Sequence, residues 1–410
     1  MNEISLGWLT LRFFASPIAR AEQIDAAARR VARQLGETEA KGWDEPVFLT
    51  VVLTGGTEDQ VLSALEGDDF STPVVLLALP HSNSLPASLE ILARLRQNGR
   101  AGRIIVGDRT GWREELLAAL RVVRVYHRLR RVRLGLLGGA SSWLAASTPG
   151  AGLVRAVWGP EVIPIALEEW LEAYGCLGGV DDGADDLAFT GAEVVEPDQA
   201  TLAGAIGLYR ALRELVGRYR LDALSARCFD LLGAVANTGC LALSRLNDEG
   251  IVAGCEGDLP ATLTMLLVRE LTGRGSFMAN PSDLDVDRGT ITFAHCTVPL
   301  SLVESVSLRS HFESGLGVGV AGRFAPGPMT VVRIGGRGLD EIAVFAGRLV
   351  DGRDQLREDL CRTQVTLEIG PEAVQKLLQY PLGNHHIVVP GDHLGAIQNY
   401  VGLVPGLRLI

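Results

Sequence analysis

The sequence predicts an α/β fold, with two parallel-sheet domains followed by a β-rich C-terminal domain. Three observations carry this expectation. Apolar strands alternate with helices over residues 1–130, and the alternation restarts near residue 131. After residue 276 the texture changes to short strands separated by Gly-rich turns. The expected domains are therefore 1–130, 131–275 and 276–410.

In the first domain VFLTVVL (47–53), PVVLLAL (73–79) and GRIIVGD (102–108) read as buried strands. Each is followed by a loop and an amphipathic helix, the order of a βαβ unit. In such sheets the working loops follow the carboxyl ends of the strands. Here those are Thr54-Gly55-Gly56-Thr57 and His81-Ser82-Asn83-Ser84. The second domain begins with VRLGLLGG, and EVIPIALEEWLEAY reads as strand then helix. GGVDDGADDLAF (178–189) reads as a solvated acidic loop, because it lacks the spaced ligands and closing Glu of an EF-hand. A long helix is expected over 197–219, another around TGCLALSRLNDEG, and a third over LPATLTMLLVRELTG with Pro260 in its first turn. In the third domain TITFAHCTV, LGVGVAGRF, MTVVRIGG, EIAVFAGRLV, TQVTLEI and HHIVVPGD read as strands, with helices near 371–379 and 392–402.

Composition narrows the function classes. The chain has 410 residues, 47% hydrophobic and 21% charged, which supports large cores. Its net charge of −11 argues against a nucleic-acid partner, and no apolar run is long enough for a membrane span. The basic run RVVRVYHRLRRVR continues an apolar helical pattern, so it reads as a solvated helix face or a subunit contact. The start MNEISLGWLTLRFFASPIAR has no basic n-region and reads as a first strand, not as a signal peptide. Six cysteines are scattered without a CxxC pair, the usage of a reduced, cytoplasmic protein.

The chemistry is expected around CEGDLPATLTMLLVRELTGRGSFMAN (255–280). Glu256 follows one apolar strand and Asn280 follows the next, 24 positions later. If those strands pair in parallel, one βαβ crossover brings both side chains to the same sheet edge. His295 ends the strand TITFA, and His385 and His386 begin HHIVVPGD. Successive strand residues face opposite sides, so only one of that pair can enter a given site. A carboxylate with imidazoles and room for water suits Mn²⁺, Fe²⁺ or Zn²⁺. His311 and Glu313 precede a Gly-rich strand, where they either line the pocket and supply a proton or form a turn. Arg323 and Arg333 lie in C-terminal strands, on the outer face or against an anion.

The strand IVAGCEGD, the helix ATLTMLLVRELTG, the strand end SFMAN and TITFAHCTVPLSL together resemble the L-fucose/L-arabinose isomerase superfamily. The loops TGGTE and NSLPASLE and the segment GNHHIVVPGD extend the resemblance. It implies two Rossmann-like domains and a β-rich third. It also implies a metal-dependent aldose–ketose isomerase that acts on a small sugar through an enediol. The implied cofactor is a divalent metal, usually Mn²⁺. The implied assembly is a homo-oligomer, hexamer or trimer, with shared active sites. Residue by residue, Glu256 matches the first catalytic carboxylate and metal ligand, His386 the C-terminal metal ligand, and His295 a His ligand of the arabinose branch. Asn83 and Ser84 match positions that complete a neighbour's pocket, and His385, His311 and Glu313 are expected to meet substrate.

The sequence departs from the family at Asn280, which stands where the second catalytic carboxylate is expected. An amide can offer its carbonyl oxygen to a metal or substrate, but it does not titrate. Three readings follow. Another group carries the second proton, with Asp258, Asp283 and Asp285 nearby. Or the reaction needs one base, as in an epimerase or lyase. Or the protein is a non-catalytic carbohydrate binder.

Overall fold

The computed structural model describes residues 2–37, 43, 46–176, 192–350 and 356–410. The acidic loop expected at 178–189 lies outside the described residues. The chain divides into two compact units, Met1–His127 with Gln398–Leu407, and Arg128–Ile397 with Arg408–Ile410.

The first unit holds one five-stranded sheet in the order β1-β2-β3-β4-β5. Its strands are β1 (Asn2–Ser5), β2 (Leu9–Phe14), β3 (Val47–Val52), β4 (Val74–Ala78) and β5 (Gly102–Val106). All pairings are parallel except β1–β2, a hairpin through Gly7, which takes φ +82°. So the N-terminal stretch is two strands where the sequence suggested one. Every residue of β4 is buried, as a central strand covered on both faces requires. Val61, Leu65, Ile91 and Leu95 of the helices Glu58–Leu65 and Ser84–Gln97 pack against it. Each such apolar side chain contributes about 1.5–3 kcal/mol.

The second unit contains a four-stranded parallel sheet in the order β10-β9-β6-β7. Its strands are β6 (Arg133–Leu137), β7 (Glu161–Ile165), β9 (Ala223–Ala226) and β10 (Val252–Cys255). The short β8 (Glu193–Val194) joins β13 (Ser305–Arg309) and β14 (Gly319–Arg323) in a three-stranded sheet.

The remaining strands build a seven-stranded sheet in the order β15-β18-β11-β12-β17-β16-β19. They are β11 (Phe277–Asp285), β12 (Thr290–His295), β15 (Pro328–Gly335), β16 (Glu341–Leu349), β17 (Thr363–Glu368), β18 (His386–Pro390) and β19 (Arg408–Leu409). β15 also pairs with β16, curling the sheet back on itself around Phe277, Phe293, Val331, Val365 and Val388. Parallel α/β sheets with a β-rich C-terminal part are thus the architecture of the chain. Among the described residues no helix is long and apolar enough to cross a membrane.

Two expectations are corrected here. β10 and β11 are not neighbours in one parallel sheet: β10 pairs with β9, and β11 pairs antiparallel with β12 and β18. Nor does Asn280 end its strand. It lies inside β11 opposite Ala294, and the strand runs on through Pro281 by way of a bulge between Pro281 and Asp283. The bulge is what lets a proline sit in a paired strand. The helix between β10 and β11 still connects the two elements, but it crosses between sheets.

Candidate metal centre and active site

Glu256 occupies the first position after β10, at the carboxyl edge of the parallel sheet. Its φ is +64°, a left-handed conformation that costs a non-glycine residue about 1–3 kcal/mol. Gly257 follows with φ +71°, and a Cβ there would stand 2.2 Å from the Gly139 carbonyl oxygen. Only glycine fits that approach. The loop after β6 therefore packs directly on the Glu256 turn, and Ser141 N–H donates to the Glu256 carbonyl at 2.8 Å. The same loop supplies Trp143, whose Nε1 donates to Glu256 Oε2 at 2.6 Å. Backbone and carboxylate are both fixed from the end of one strand, β6.

Two imidazoles converge on this carboxylate. Glu256, His295 and His385 each offer a ligand atom, and these atoms all lie within 4.8 Å of one another. All three residues are buried. His295 closes β12, and its Nδ1 lies 2.9 Å from Thr297 Oγ1, which fixes the ring. His385 immediately precedes β18 and its Nδ1 lies 3.0 Å from Asp258 Oδ2. Its Nε2 is 3.4 Å from Glu256 Oε1, close but without hydrogen-bond geometry, so that buried nitrogen has no hydrogen-bond partner.

Asp258 is the support behind His385. It caps the helix Leu259–Thr272 by accepting from Ala261 N–H at 2.8 Å. It also pairs with Arg333 at 3.1 Å, both side chains being fully buried. Arg333 in turn donates to Ser147 Oγ at 2.6 Å. A carboxylate that holds a ligating imidazole by its other nitrogen is a recurrent second layer of metal sites. Asp258 was expected as a spare proton carrier; here its oxygens are taken by the helix cap, His385 and Arg333.

The electrostatics of the group are set by burial and by its charged neighbours. Burial pushes the Glu256 carboxyl up, but the charges of the nearby His385 and His295, with the bond from Trp143, bring it below the usual carboxylate range. Asp258 is raised by burial and then held below its ordinary value by Arg333 and His385. Burial lowers His295 to about 4, leaving it a neutral imidazole. His385 is the exception. Burial would lower it too, but its bond to Asp258 and the charges of Asp258 and Glu256 lift it to about 9. A proton there occupies the place between two carboxylates that a bound cation would claim. One carboxylate and two imidazoles make a donor set suited to Mn²⁺, Fe²⁺ or Zn²⁺, and the orphaned His385 Nε2 fits a ligand there.

A cavity of about 180 Å³ opens beside this group. Asn280 lines it, and the Asn280 Oδ1 is buried without a hydrogen-bond partner. His311 and Glu313 line it as well. His311 is buried, with its ring 5.5 Å from that of Phe229, which stacks edge-on with Trp143 at 5.2 Å. Asp283 and Asp285 are not brought to the cavity. They pair with Arg357 and Arg288 instead.

His386, expected as the C-terminal ligand, is not brought to the group. It points to the opposite side of β18, 5.9 Å from the Phe293 ring, where it lines a small apolar recess with Phe345 and Leu382. Its partner in the pair, His385, takes the inward position. Asn83 and Ser84 belong to the first unit. Asn83 takes φ +55° and lines a surface cleft of about 760 Å³ with Thr54, Gly55 and His81. Ser84 is fully buried, accepting from Leu79 N–H at 2.7 Å and donating to the Val52 carbonyl. It is a structural hydroxyl within that unit.

Trp143, Ser147 and Thr297 were missed in the sequence. Nothing in their local pattern distinguishes them from loop residues, and the partners of Trp143 and Ser147, Glu256 and Arg333, lie far along the chain. Arg333 carried a weak signal: a charge inside the apolar strand MTVVRIGG demands a buried partner.

The chain is similar in sequence to proteins named sulfoquinovose isomerase. It is 30% identical over 205 residues to a sulfoquinovose isomerase of Clostridium sp. (strain MSTE9), covering 46% of this chain and 43% of that protein. It is 23% identical over 357 residues to a sulfoquinovose isomerase of Alkalicoccus urumqiensis, covering 79% and 77%. A sulfoquinovose isomerase of Priestia megaterium matches at 21% over 310 residues, covering 71% and 67%. The chain thus spans less than half of the Clostridium relative and about three quarters of the Alkalicoccus one. No family model matches the chain.

Proposed function

We propose that the protein is a metal-dependent aldose–ketose isomerase, an intramolecular oxidoreductase that acts on a small sugar. The observation that carries the reading is the buried Glu256–His295–His385 group with its orphaned imidazole nitrogen, next to a cavity lined by ionisable side chains. The relatives named as sulfoquinovose isomerases support the same reaction class and make a sulfosugar one substrate to test. Glu256, His295 and His385 would hold a divalent cation such as Mn²⁺. When bound, the cation supplies Lewis-acid polarisation of the sugar carbonyl. His386 is left out of this set, because its ring faces the other way.

In this reading Glu256 takes the proton from the carbon next to the carbonyl, which leaves an enediol, and a proton is then returned to the former carbonyl carbon. Glu256 suits the base, since His385 and Trp143 keep it ionised despite burial. Asn280 presents an amide oxygen to a sugar hydroxyl and transfers no proton. The second acid/base is drawn from His311 and Glu313, which share the cavity. Assembly into a homo-oligomer with Asn83 at a neighbour's site belongs to the same proposal.

One observation favours a second reading. Asn280 stands where a titrating group would serve a two-base isomerase, so a one-base epimerase or lyase, or a sugar binder, fits the same centre. The test is solvent-deuterium incorporation at C1 and C2 across neutral and sulfonated aldoses and ketoses, with metal content measured alongside. Isomerisation with exchange that vanishes in Glu256→Gln supports the isomerase. Exchange without isomerisation moves the assignment to the one-base reaction, and tight binding without exchange to the binder.

A further inference from the structure

Five of the six cysteines, though scattered along the chain, converge on the cavity beside Glu256: Cys228, Cys240, Cys255, Cys296 and Cys361 all line it. All are free thiols. They touch in two groups. Cys296 interacts with the thiols of both Cys240 and Cys361, and Cys228 with that of Cys255. Arg362 N–H also donates to Cys296 Sγ at 3.4 Å. A wall that only needed small apolar side chains could be built from Ala or Val, which do not oxidise.

Accessibility ranks the thiols. Four of the five are buried, Cys296 among them, and a buried thiol does not meet an oxidant from solution directly. Cys361 alone is partly exposed, and the thiol beside it is Cys296. The two are also held together by structure. β12 and β17 pair antiparallel with His295 opposite Thr363, so Cys296 and Cys361 leave the ladder at the same end.

We propose that Cys296 and Cys361 form an oxidisable dithiol, a reversible modification site in the cavity wall, with hydrogen peroxide as the oxidant. The chemistry balances as a two-electron oxidation. One sulfur attacks a peroxide oxygen, the O–O bond breaks, and a sulfenic acid and water result. The second thiol then attacks the sulfenic sulfur, the S–O bond breaks, and the hydroxyl leaves as water with the thiol proton. Two thiols and one peroxide give one disulfide and two waters. The new bond ties the residue after His295 to the 361–362 segment. This site stands on the thiol geometry and does not depend on which reaction the cavity performs.

The test is peroxide treatment of the full chain, alkylation of remaining thiols, and peptide mass mapping without reduction. The expected result is a Cys296–Cys361 cross-linked peptide that appears before other thiols are lost and disappears on reduction with dithiothreitol. Cys361→Ser should remove the cross-link while leaving Cys228 and Cys255 open to alkylation in denaturant; if that variant fails to fold, the wild-type map decides alone. The proposal is overturned if Cys296 and Cys361 both remain alkylatable after treatment. It is equally overturned if Cys296 links to Cys240, or if Cys361 proceeds to a sulfinic acid without cross-linking.

Discussion

Two sheet edges in this chain follow the same construction and end differently. In the first unit the loops after β3 and β4 carry Thr54, Gly55, Gly56 and Asn83 around a wide surface cleft. In the second unit the loops after β6 and β10 carry Gly138, Gly139, Glu256 and Gly257, and they face a buried cluster of imidazoles. Both edges use glycines and positive-φ residues to turn the chain sharply. Among the described residues only the second brings three His, Cys, Asp or Glu ligand atoms within 4.8 Å. The parallel sheet supplies a place for a site, while the chemistry comes from what a second sheet aims at that place.

The largest expected effect comes from the support under the second edge. Asp258→Asn leaves Arg333 buried without its counter-charge and His385 without its anchor. It should destabilise the second unit by about 3–5 kcal/mol. A denaturant titration followed by probes in each unit checks this, with the first unit's transition expected to stay in place. Next in size is Glu256→Gln. If the group binds metal and Glu256 is the base, sugar-proton exchange should fall by about 10² to 10⁴. His311→Gln and Glu313→Gln sharpen the same point: whichever carries the second proton should lower isomerisation while leaving Mn²⁺ binding near the wild-type level.

A smaller, graded effect is expected from pH. In the fold His385 is raised to about 9, above the ordinary His value. Its proton therefore stabilises that fold fully below about pH 6.5, and the contribution is lost as pH rises through about 9. A cation must displace this proton, so apparent Mn²⁺ affinity should rise from pH 6 towards pH 9 with proton release. Calorimetry in buffers of different ionisation enthalpy reads that release directly. The smallest effect belongs to the first edge. Asn83→Gly relieves a left-handed residue and should shift stability by less than about 1 kcal/mol, with no change in Mn²⁺ affinity.

The fold was legible to the extent that periodicity reports burial. The strands from VFLTVVL to HHIVVPGD and the helices between them appear where their apolar patterns place them. Partnering was less legible. FMA is short and wholly apolar, so its pattern could not reveal that it pairs antiparallel with β12 and β18 instead of joining β10. At the centre, Glu256 and His295 stood out because each closes an apolar strand. The choice between His385 and His386 depended on the phase of one residue at the start of β18, which composition does not encode. The thiol-lined wall was hidden for a similar reason, since its members come from five separate segments.

The most direct measurement is Mn²⁺ binding, followed by electron paramagnetic resonance of free Mn²⁺, in wild type, His385→Ala and His386→Ala. The expected result is one tight site in wild type, its loss in His385→Ala, and its retention in a folded His386→Ala. Loss of the site in His386→Ala with retention in His385→Ala would contradict the account. So would a wild-type protein that leaves the ion free in solution at pH 8.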